Sequence, residues 1–376
     1  MKITIKTLHG LEAVLAREVE SLGGDNIKVA NRAVHCEGNL AFLYKVNYQL
    51  RTALKVLVPV HTFTARNDQQ LYDQIKAFDW SQYLEKHQTF AIDSTIFSEY
   101  FKHTKFAALK MKDAVVDQFR DKYGQRPSID TDSPDVLLNL HGYQDQFTVS
   151  LDSSGESLNR RGYRGKGHDA PLNEVLAAGM LGLSGWDPSL PLIDPFCGTG
   201  TLLIEAAMMA MGLPPQTLRE TFGFKTWKSF QPMIWTRVKA DAHAQVRKKS
   251  LMISGGDIDP KAISMARQSL KSLKIRDMVT LREISFEKHF PKTRSGFVIT
   301  NPPYGERIGT NVESLYEAFG DTLKQHYAGF DAWIISSNKP ALRKIGLKDS
   351  QRIELYNGKL DCEFCKYDLY AGAKED

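Results

Sequence analysis

Cysteine is scarce in this chain: four in 376 residues, Cys36, Cys197, Cys362 and Cys365. Cys362 and Cys365 form a C-x-x-C, but no second cysteine pair or close histidine pair joins them to complete a zinc site. They fall in a strand-like run, Asp361 to Tyr370, where residues three apart face opposite sides. Buried free thiols and no metal are the expectation. Long apolar runs are missing as well. No stretch approaches the roughly 18 residues of a membrane span, and the start MKITIKTLHGLEAV lacks the apolar core of a signal peptide, so a cytoplasmic protein is expected. No internal repeat or low-complexity tract is visible.

Strong net charge is also absent. The balance of +5 is too mild to identify a nucleic-acid binder, but its distribution is uneven. Between Leu213 and Ser250 stand eight basic residues (Arg219, Lys225, Lys228, Arg237, Lys239, Arg247, Lys248, Lys249) against Glu220 and Asp241, with Phe222, Phe224, Trp227, Phe230 and Trp235 interleaved. A second cluster, Lys102, His103, Lys105, Lys110 and Lys112, contains no acid. Basic groups beside aromatics suit phosphate contact and base stacking, though a solvated helix face gives the same pattern.

What is present reads as several units, since 376 residues exceed one compact core. Residues 1–60 read as a small α+β unit and residues 61–155 as a second. The latter has helices predicted over Asp68–Phe78 and Lys105–Tyr123, and strands over Thr89–Ile96, Val136–His141 and Gln146–Leu151. The glycine-rich stretch Asp152–Asp169 reads as a linker or ordered crossover. Residues 156–376, with most of that stretch as their N-terminal linker, form the third unit. From Ala170 onward short apolar strands (Pro191–Pro195, Leu251–Asp257, Val279–Ile284, Gly296–Thr300, Ala332–Ser336) alternate with helices (Thr201–Met211, Pro260–Leu273, Val312–His326). That alternation predicts an open, mostly parallel α/β sheet with helices on both faces. The last two strands, Gln351–Tyr356 and Cys362–Tyr370, flank only the Asn357-Gly358 turn region, which demands an antiparallel hairpin.

Three motifs carry chemistry. Asp194-Pro195-Phe196-Cys197-Gly198-Thr199-Gly200-Thr201 lies between an apolar strand and an apolar helix. Its glycines permit a tight turn and close ligand approach at the carboxyl edge of the sheet. The motif is neither G-x-G-x-x-G nor a P-loop, which disfavours dinucleotides and nucleoside triphosphates. One βα unit later, Gly255-Gly256-Asp257-Ile258-Asp259-Pro260 closes a strand on Asp257, an acid placed to accept ribose hydroxyls, while Asp259 suits a helix cap. Third, Asn301-Pro302-Pro303-Tyr304-Gly305 follows the strand Phe297–Thr300; such an N-P-P-Y arises by chance in about one chain per thousand of this length. Two prolines stiffen the loop and remove two N–H donors. The Asn301 side-chain oxygen and the Pro302 carbonyl can then accept both hydrogens of an exocyclic base amine while Tyr304 stacks on the ring. Holding both hydrogens aims the amine lone pair at a methyl donor.

DPFCGTGT with NPPYGER resembles the class I methyltransferases that act on amino groups of nucleic-acid bases. With Arg161-Gly162-Tyr163-Arg164 and Ala170-Pro171-Leu172-Asn173-Glu174, the chain resembles the bacterial THUMP-containing RNA guanine-N2 methyltransferases over nearly its whole length. The resemblance implies a Rossmann-like seven-stranded sheet with a C-terminal antiparallel hairpin, preceded by ferredoxin-like and THUMP domains. It implies S-adenosylmethionine at Asp194, Phe196, Cys197, Gly198, Thr199, Gly200 and Thr201, with Asp257 and Ile258 at its ribose. Asn173 and Glu174 would lie near the methionine end, and Asn301 would also contact the cofactor. Where wider relatives carry an acid near the adenine amine, this chain reads Glu283-Ile284-Ser285-Phe286, so Ser285 or Phe286 backbone groups are expected to serve. The implied target is a guanosine of large-subunit (23S) ribosomal RNA, with tRNA as the alternative and adenine N6 behind it. RNA is expected on Lys102, Lys105, Lys110, Lys112, Arg161, Arg164, Lys225 and Lys228. A non-catalytic RNA-binding factor would need none of Gly198, Gly200, Asp257, Asn301 and Tyr304 together.

Overall fold

The computed structural model describes residues 1–164, 172–248, 250–305 and 312–370. The expectations at Ala170-Pro171, Lys249 and Glu306-Arg307 lie outside the described residues. The N-terminal half comprises β1 (Lys2–Lys6), α1 (Glu12–Ser21), β2 (Asp25–Ala30), β3 (Ala33–Glu37), α2 (Leu40–Gln49) and β4 (Lys55–Thr64). It continues through α3 (Asp68–Ala77), β5 (Thr89–Phe97), α4 (Thr104–Tyr123), β6 (Ser128–Ile129), β7 (Val136–Tyr143) and β8 (Gln146–Asp152). All eight strands form one sheet in the order β2-β3-β1-β4-β8-β7-β5-β6. The break expected at residue 60 therefore falls inside β4, which pairs with β1 near its start and with β8 along most of its length.

Alternation explains why this sheet has one covered face. In β1, Ile3 and Ile5 are buried between less buried Lys2, Thr4 and Lys6, the period-two pattern of a strand with one wet side. The buried face shares a single core with Leu15 and Val19 of α1, Leu43 of α2, Leu71 and Ile75 of α3, and Met111 and Val115 of α4.

The C-terminal half runs α5 (Glu174–Ser184), β9 (Leu192–Asp194), α6 (Thr201–Met211), α7 (Pro232–Ala244), β10 (Ile253–Asp257), α8 (Pro260–Ser272) and β11 (Thr280–Glu283). It ends with β12 (Gly296–Thr300), α9 (Val312–His326), β13 (Phe330–Ser336), α10 (Lys339–Lys344), β14 (Gln351–Asn357) and β15 (Leu360–Asp368). Its seven-stranded sheet has the order β11-β10-β9-β12-β13-β15-β14. The five strands from β11 to β13 run parallel and β15 runs antiparallel to both its neighbours, as the short Asn357-Gly358 connection requires. Helices α5 and α6 pack on one face and α9 and α10 on the other, so all five residues of β12, GFVIT, are buried. Cys362 and Cys365 are free and buried on opposite faces of β15, in separate cores. Asp152 to Arg164 is an ordered crossover: Ser153, Ser154, Leu158, Arg161 and Tyr163 are buried.

Helix α7 extends the second half onto the first. Phe224, Phe230 and Trp235 pack around Tyr44 of α2, with Tyr44 and Phe224 ring centroids 4.4 Å apart. Phe222 packs on Phe224 and Trp235, and Gln231 N–H donates to the Tyr44 hydroxyl at 3.0 Å.

Candidate active site

Strand β9 ends at Asp194 and α6 begins at Thr201, so the chain must reverse within six residues. Gly198 (φ +51°) and Gly200 (φ +76°) adopt left-handed conformations that supply the reversal. A Cβ on Gly200 would lie 2.9 Å from the Ala266 Cβ of α8, so close helix packing also excludes a side chain there. The corner is fastened to β10: Cys197 N–H donates to the Gly256 carbonyl at 3.0 Å and Gly198 N–H to Asp257 Oδ2 at 2.8 Å. The other Asp257 oxygen accepts from Asp259 N–H at 2.9 Å. Asp259 in turn caps α8 by accepting from Lys261 N–H. Asp257 is thus fixed in orientation at the strand end, with lone pairs remaining on both oxygens.

Asp194 joins this corner to the other motif. Its Oδ1 accepts from the Thr300 hydroxyl at 2.6 Å, and Thr300 immediately precedes Asn301. Burial pushes the Asp194 carboxyl up to about 7, against the lowering effect of Thr300 and the Phe196 N–H and with a further upward push from Asp257. The proline loop and the glycine corner therefore share a buried anchor, and both line one cavity of about 680 Å³. Of the expected cofactor residues, Asp194, Phe196, Cys197, Gly198, Thr199, Thr201, Asp257, Ile258, Ser285 and Asn301 stand on its wall. Gly200 shapes the turn from behind.

Several residues are placed otherwise than expected. The Asn173 carboxamide caps α5, accepting from Val175 and Leu176 N–H, and Glu174 is buried against Arg164 at 3.1 Å; Leu172, beside them, is the wall residue. Arg164 donates to the Leu172 carbonyl and the Thr201 hydroxyl, so it braces two wall residues. Arg161 is a correction to its expected RNA role. It is 1% exposed, paired with the fully buried Glu205 at 2.9 Å, and donates to the Arg51 carbonyl. No phosphate can reach it.

In the basic segment, Phe222, Phe224, Trp227 and Trp235 belong to the core and are not a stacking surface. Lys225 is exposed but donates to the Glu220 carbonyl. Lys228 donates to Ser81 O at 2.8 Å and faces Glu85 at 3.7 Å. In the other cluster Lys102 and Lys105 are exposed. Lys110 lies over the Phe106 ring, and Lys112 pairs with Asp113 at 2.7 Å.

Pro303 lines the cavity and Pro302 is buried beside it. Tyr304 is not among the wall residues: its hydroxyl donates to Asn301 Oδ1, and its carbonyl accepts from Asn338 Nδ2 at 3.2 Å. Desolvation holds its phenol well above the ordinary range. The expected stacking ring and the expected amine acceptor are thus bonded to each other.

Sequence reading missed the far wall. Phe196 stacks obliquely on Phe286 and meets Phe319 edge-on, each at 5.0 Å, and Leu315 and Ala318 of α9 complete an apolar slot. Glu287 supplies an acid near the place where Glu283 was considered; it lines the cavity and accepts from the Ser285 hydroxyl at 3.3 Å. Glu283 is exposed. The i, i+3, i+4 spacing of Leu315, Ala318 and Phe319 was the available signal, but it reads equally as core.

The cavity's donor set, with a fixed carboxylate, a glycine corner and an aromatic slot, fits a nucleoside-containing ligand. Among the described residues no cluster of three or more His, Cys, Asp or Glu could hold a metal ion, and no helix is long and apolar enough to cross a membrane.

Comparison with known proteins agrees with this geometry. Residues 161–366 match the RMKL-like methyltransferase domain model, residues 65–152 the THUMP domain, and residues 2–57 the RlmL ferredoxin-like domain. A Synechocystis protein with the provisional name RNA methyltransferase slr0064 is 38% identical over 96% of this chain and 95% of its own. The ribosomal RNA large subunit methyltransferase K/L of Shewanella amazonensis is 36% identical over 96% of this chain, which spans 52% of that protein. The solved structure of SMU.472, provisionally assigned as a methyltransferase and complexed with SAH, superposes with a TM-score of 0.88 at 29% identity, covering 99% of both chains. The chain belongs to the RMKL-like methyltransferase family, with ferredoxin-like and THUMP domains ahead of its catalytic fold.

Proposed function

We propose that this protein transfers a methyl group from S-adenosylmethionine to the exocyclic N2 of a guanosine in large-subunit ribosomal RNA. The observation that carries the reading is the single cavity shared by the glycine corner and the proline loop, tied by the 2.6 Å bond from Thr300 to Asp194. The names borne by the similar proteins support RNA as the substrate, and the SAH held by a similar structure supports the cofactor.

In this reading Asp257 accepts the ribose hydroxyls, the Gly198–Gly200 corner lets the cofactor approach the backbone, and Phe286 and Ile258 flank its base. Bound S-adenosylmethionine supplies an electrophilic methyl on sulfur. Asn301 Oδ1 and the Pro302 carbonyl accept the two hydrogens of the target amine, so its lone pair points at that methyl. This costs little reorganisation because the prolines hold the loop in advance. Target binding must first release the Tyr304 hydroxyl from Asn301 Oδ1, freeing the ring to stack on the base. Residues 1–60 and 61–155 hold the RNA in this scheme while residues 156–376 perform the transfer.

The test is incubation of the purified chain with S-adenosylmethionine carrying an isotopic methyl, separately with 23S rRNA and tRNA, followed by mass spectrometry of the nucleosides. Labelled N2-methylguanosine from 23S rRNA is expected. Label on adenine N6 overturns the base assignment, label confined to tRNA overturns the RNA assignment, and cofactor binding without transfer overturns catalysis.

A further inference from the structure

Among the described residues, no helix covers one broad face of the N-terminal sheet. From β3 across β1, β4, β8 and β7 to β5 it spans five interstrand steps, about 24 Å at ~4.8 Å each. The outward residues line a groove of about 1460 Å³. They stand in register as cross-strand pairs: Thr4 opposite His35, Asn139 opposite Ser150, His141 opposite both Thr148 and Thr95. Thr4 Oγ1 and His35 Nδ1 already bond at 3.0 Å. Thr4, His35, Thr95, His141 and Thr148 present donors and acceptors suited to base edges and ribose hydroxyls, while Asn139 and Ser150 are buried at 4% exposure each.

The charge is one-sided. Lys2, Lys6, Lys28, Arg32 and Lys55 line the groove against one acid, Glu37, with the exposed Asp93 in register beside Asn139 on β5, and only Lys55 has a strong internal ion pair, with Asp152 at 2.6 Å. Burial, then the charges of Lys6 and His35, lower the His141 imidazole pKa, consistent with a positive field across the face. Aromatic rings mark both ends. Phe97 and Tyr143 face each other across β5 and β7, each 63% exposed. At the other end Tyr356 meets the His9 ring at 5.6 Å, with the Arg32 guanidinium 5.7 Å from its centroid. Tyr356 belongs to β14, and β14 ends at the carboxyl edge where Asn301 stands. The next residue, Asn357, lies close enough to the Tyr304 phenol to act against the upward push that burial gives it.

We infer that this uncovered face binds a single-stranded segment of the RNA substrate and leads it past Tyr356 toward the Asn301 loop. The inference rests on the reading of this chain as an RNA methyltransferase. A duplex hides its base edges in a groove that side chains cannot enter, so a face rich in small hydrogen-bonding groups and exposed rings favours unpaired bases. The α4 lysines then form an approach rather than the seat, since the chain passes from Phe97 directly into the segment carrying Lys102 and Lys105.

The test is fluorescence anisotropy on the full chain with a labelled, non-self-complementary 12-nucleotide RNA and its duplex, titrated with salt. K6A/K28A is expected to bind the single strand at least tenfold more weakly, with the salt slope shallower by about 1.4, two contacts at ~0.7 each. Tyr143→Ala is expected to weaken binding several-fold without changing the slope. Calorimetric S-adenosylmethionine affinity, equal to that of the parent, shows that the variants are folded. Parental affinity and slope in both variants, or duplex binding at least as tight as single-strand binding, overturns the inference. Guanosine methylation is read separately: its absence with the groove result intact sinks only the proposed function, and the reverse outcome sinks only the groove.

Discussion

The two sheets differ in how many faces they bury. Strand β12 is buried at every residue, whereas β1 alternates with its lysines and threonine outward. In the C-terminal sheet, covered by helices on both sides, a ligand can enter only at an edge, and the chemistry gathers in the loops after β9, β10 and β12. In the N-terminal sheet one face remains for binding, and its groups are spread over seven strands. An edge site is built from consecutive residues and can be read as a motif; a face site cannot.

Four variants would break or sharpen that contrast. The largest effect is expected at Arg161, the buried brace between the halves. Arg161→Ala leaves Glu205 charged without its partner, and denaturant unfolding should show a loss of about 3–5 kcal/mol; parental stability with weakened RNA binding would return Arg161 to the surface. Asn301→Ala should slow methyl transfer roughly 10²–10³-fold in single-turnover assays while cofactor and RNA affinities stay at parental values. Full activity would end the proposed role of the loop. Next, Asp257→Ala should weaken S-adenosylmethionine about 10- to 100-fold by calorimetry, the measure of lost hydrogen bonds to a carboxylate, and leave RNA binding alone; a weakened RNA complex would mean that the edge and the face are coupled. The smallest change is expected from K102A/K105A, a few-fold loss of RNA affinity that fades at high salt, read by the same anisotropy titration. A larger loss than in K6A/K28A would move the seat of the RNA to α4.

Much of the fold was legible. Helices Thr201–Met211 and Val312–His326 and strand Gly296–Thr300 fall at their expected bounds, because apolar periodicity, glycine turns and proline punctuation are local. The cavity wall around the glycine corner was legible for the same reason, since Asp194 to Thr201 is one continuous turn. Tyr304 was not: its ring was expected over the cavity, but the hydroxyl of a partly buried phenol needs an acceptor, and the Asn301 carboxamide provides it. Nor were the aromatics between Phe222 and Trp235, whose partner Tyr44 stands far earlier in the chain.

By itself the sequence determined the strand-helix alternation, the C-terminal hairpin, the glycine corner and the proline loop, since each depends on the conformational limits of neighbouring residues. Only the tertiary structure decided which charges are wet and which faces are covered. Arg161 is a core residue because Glu205 and Arg51, 44 and 110 positions away, enclose it, and burial is set by such distant partners rather than by the residue's own chemistry.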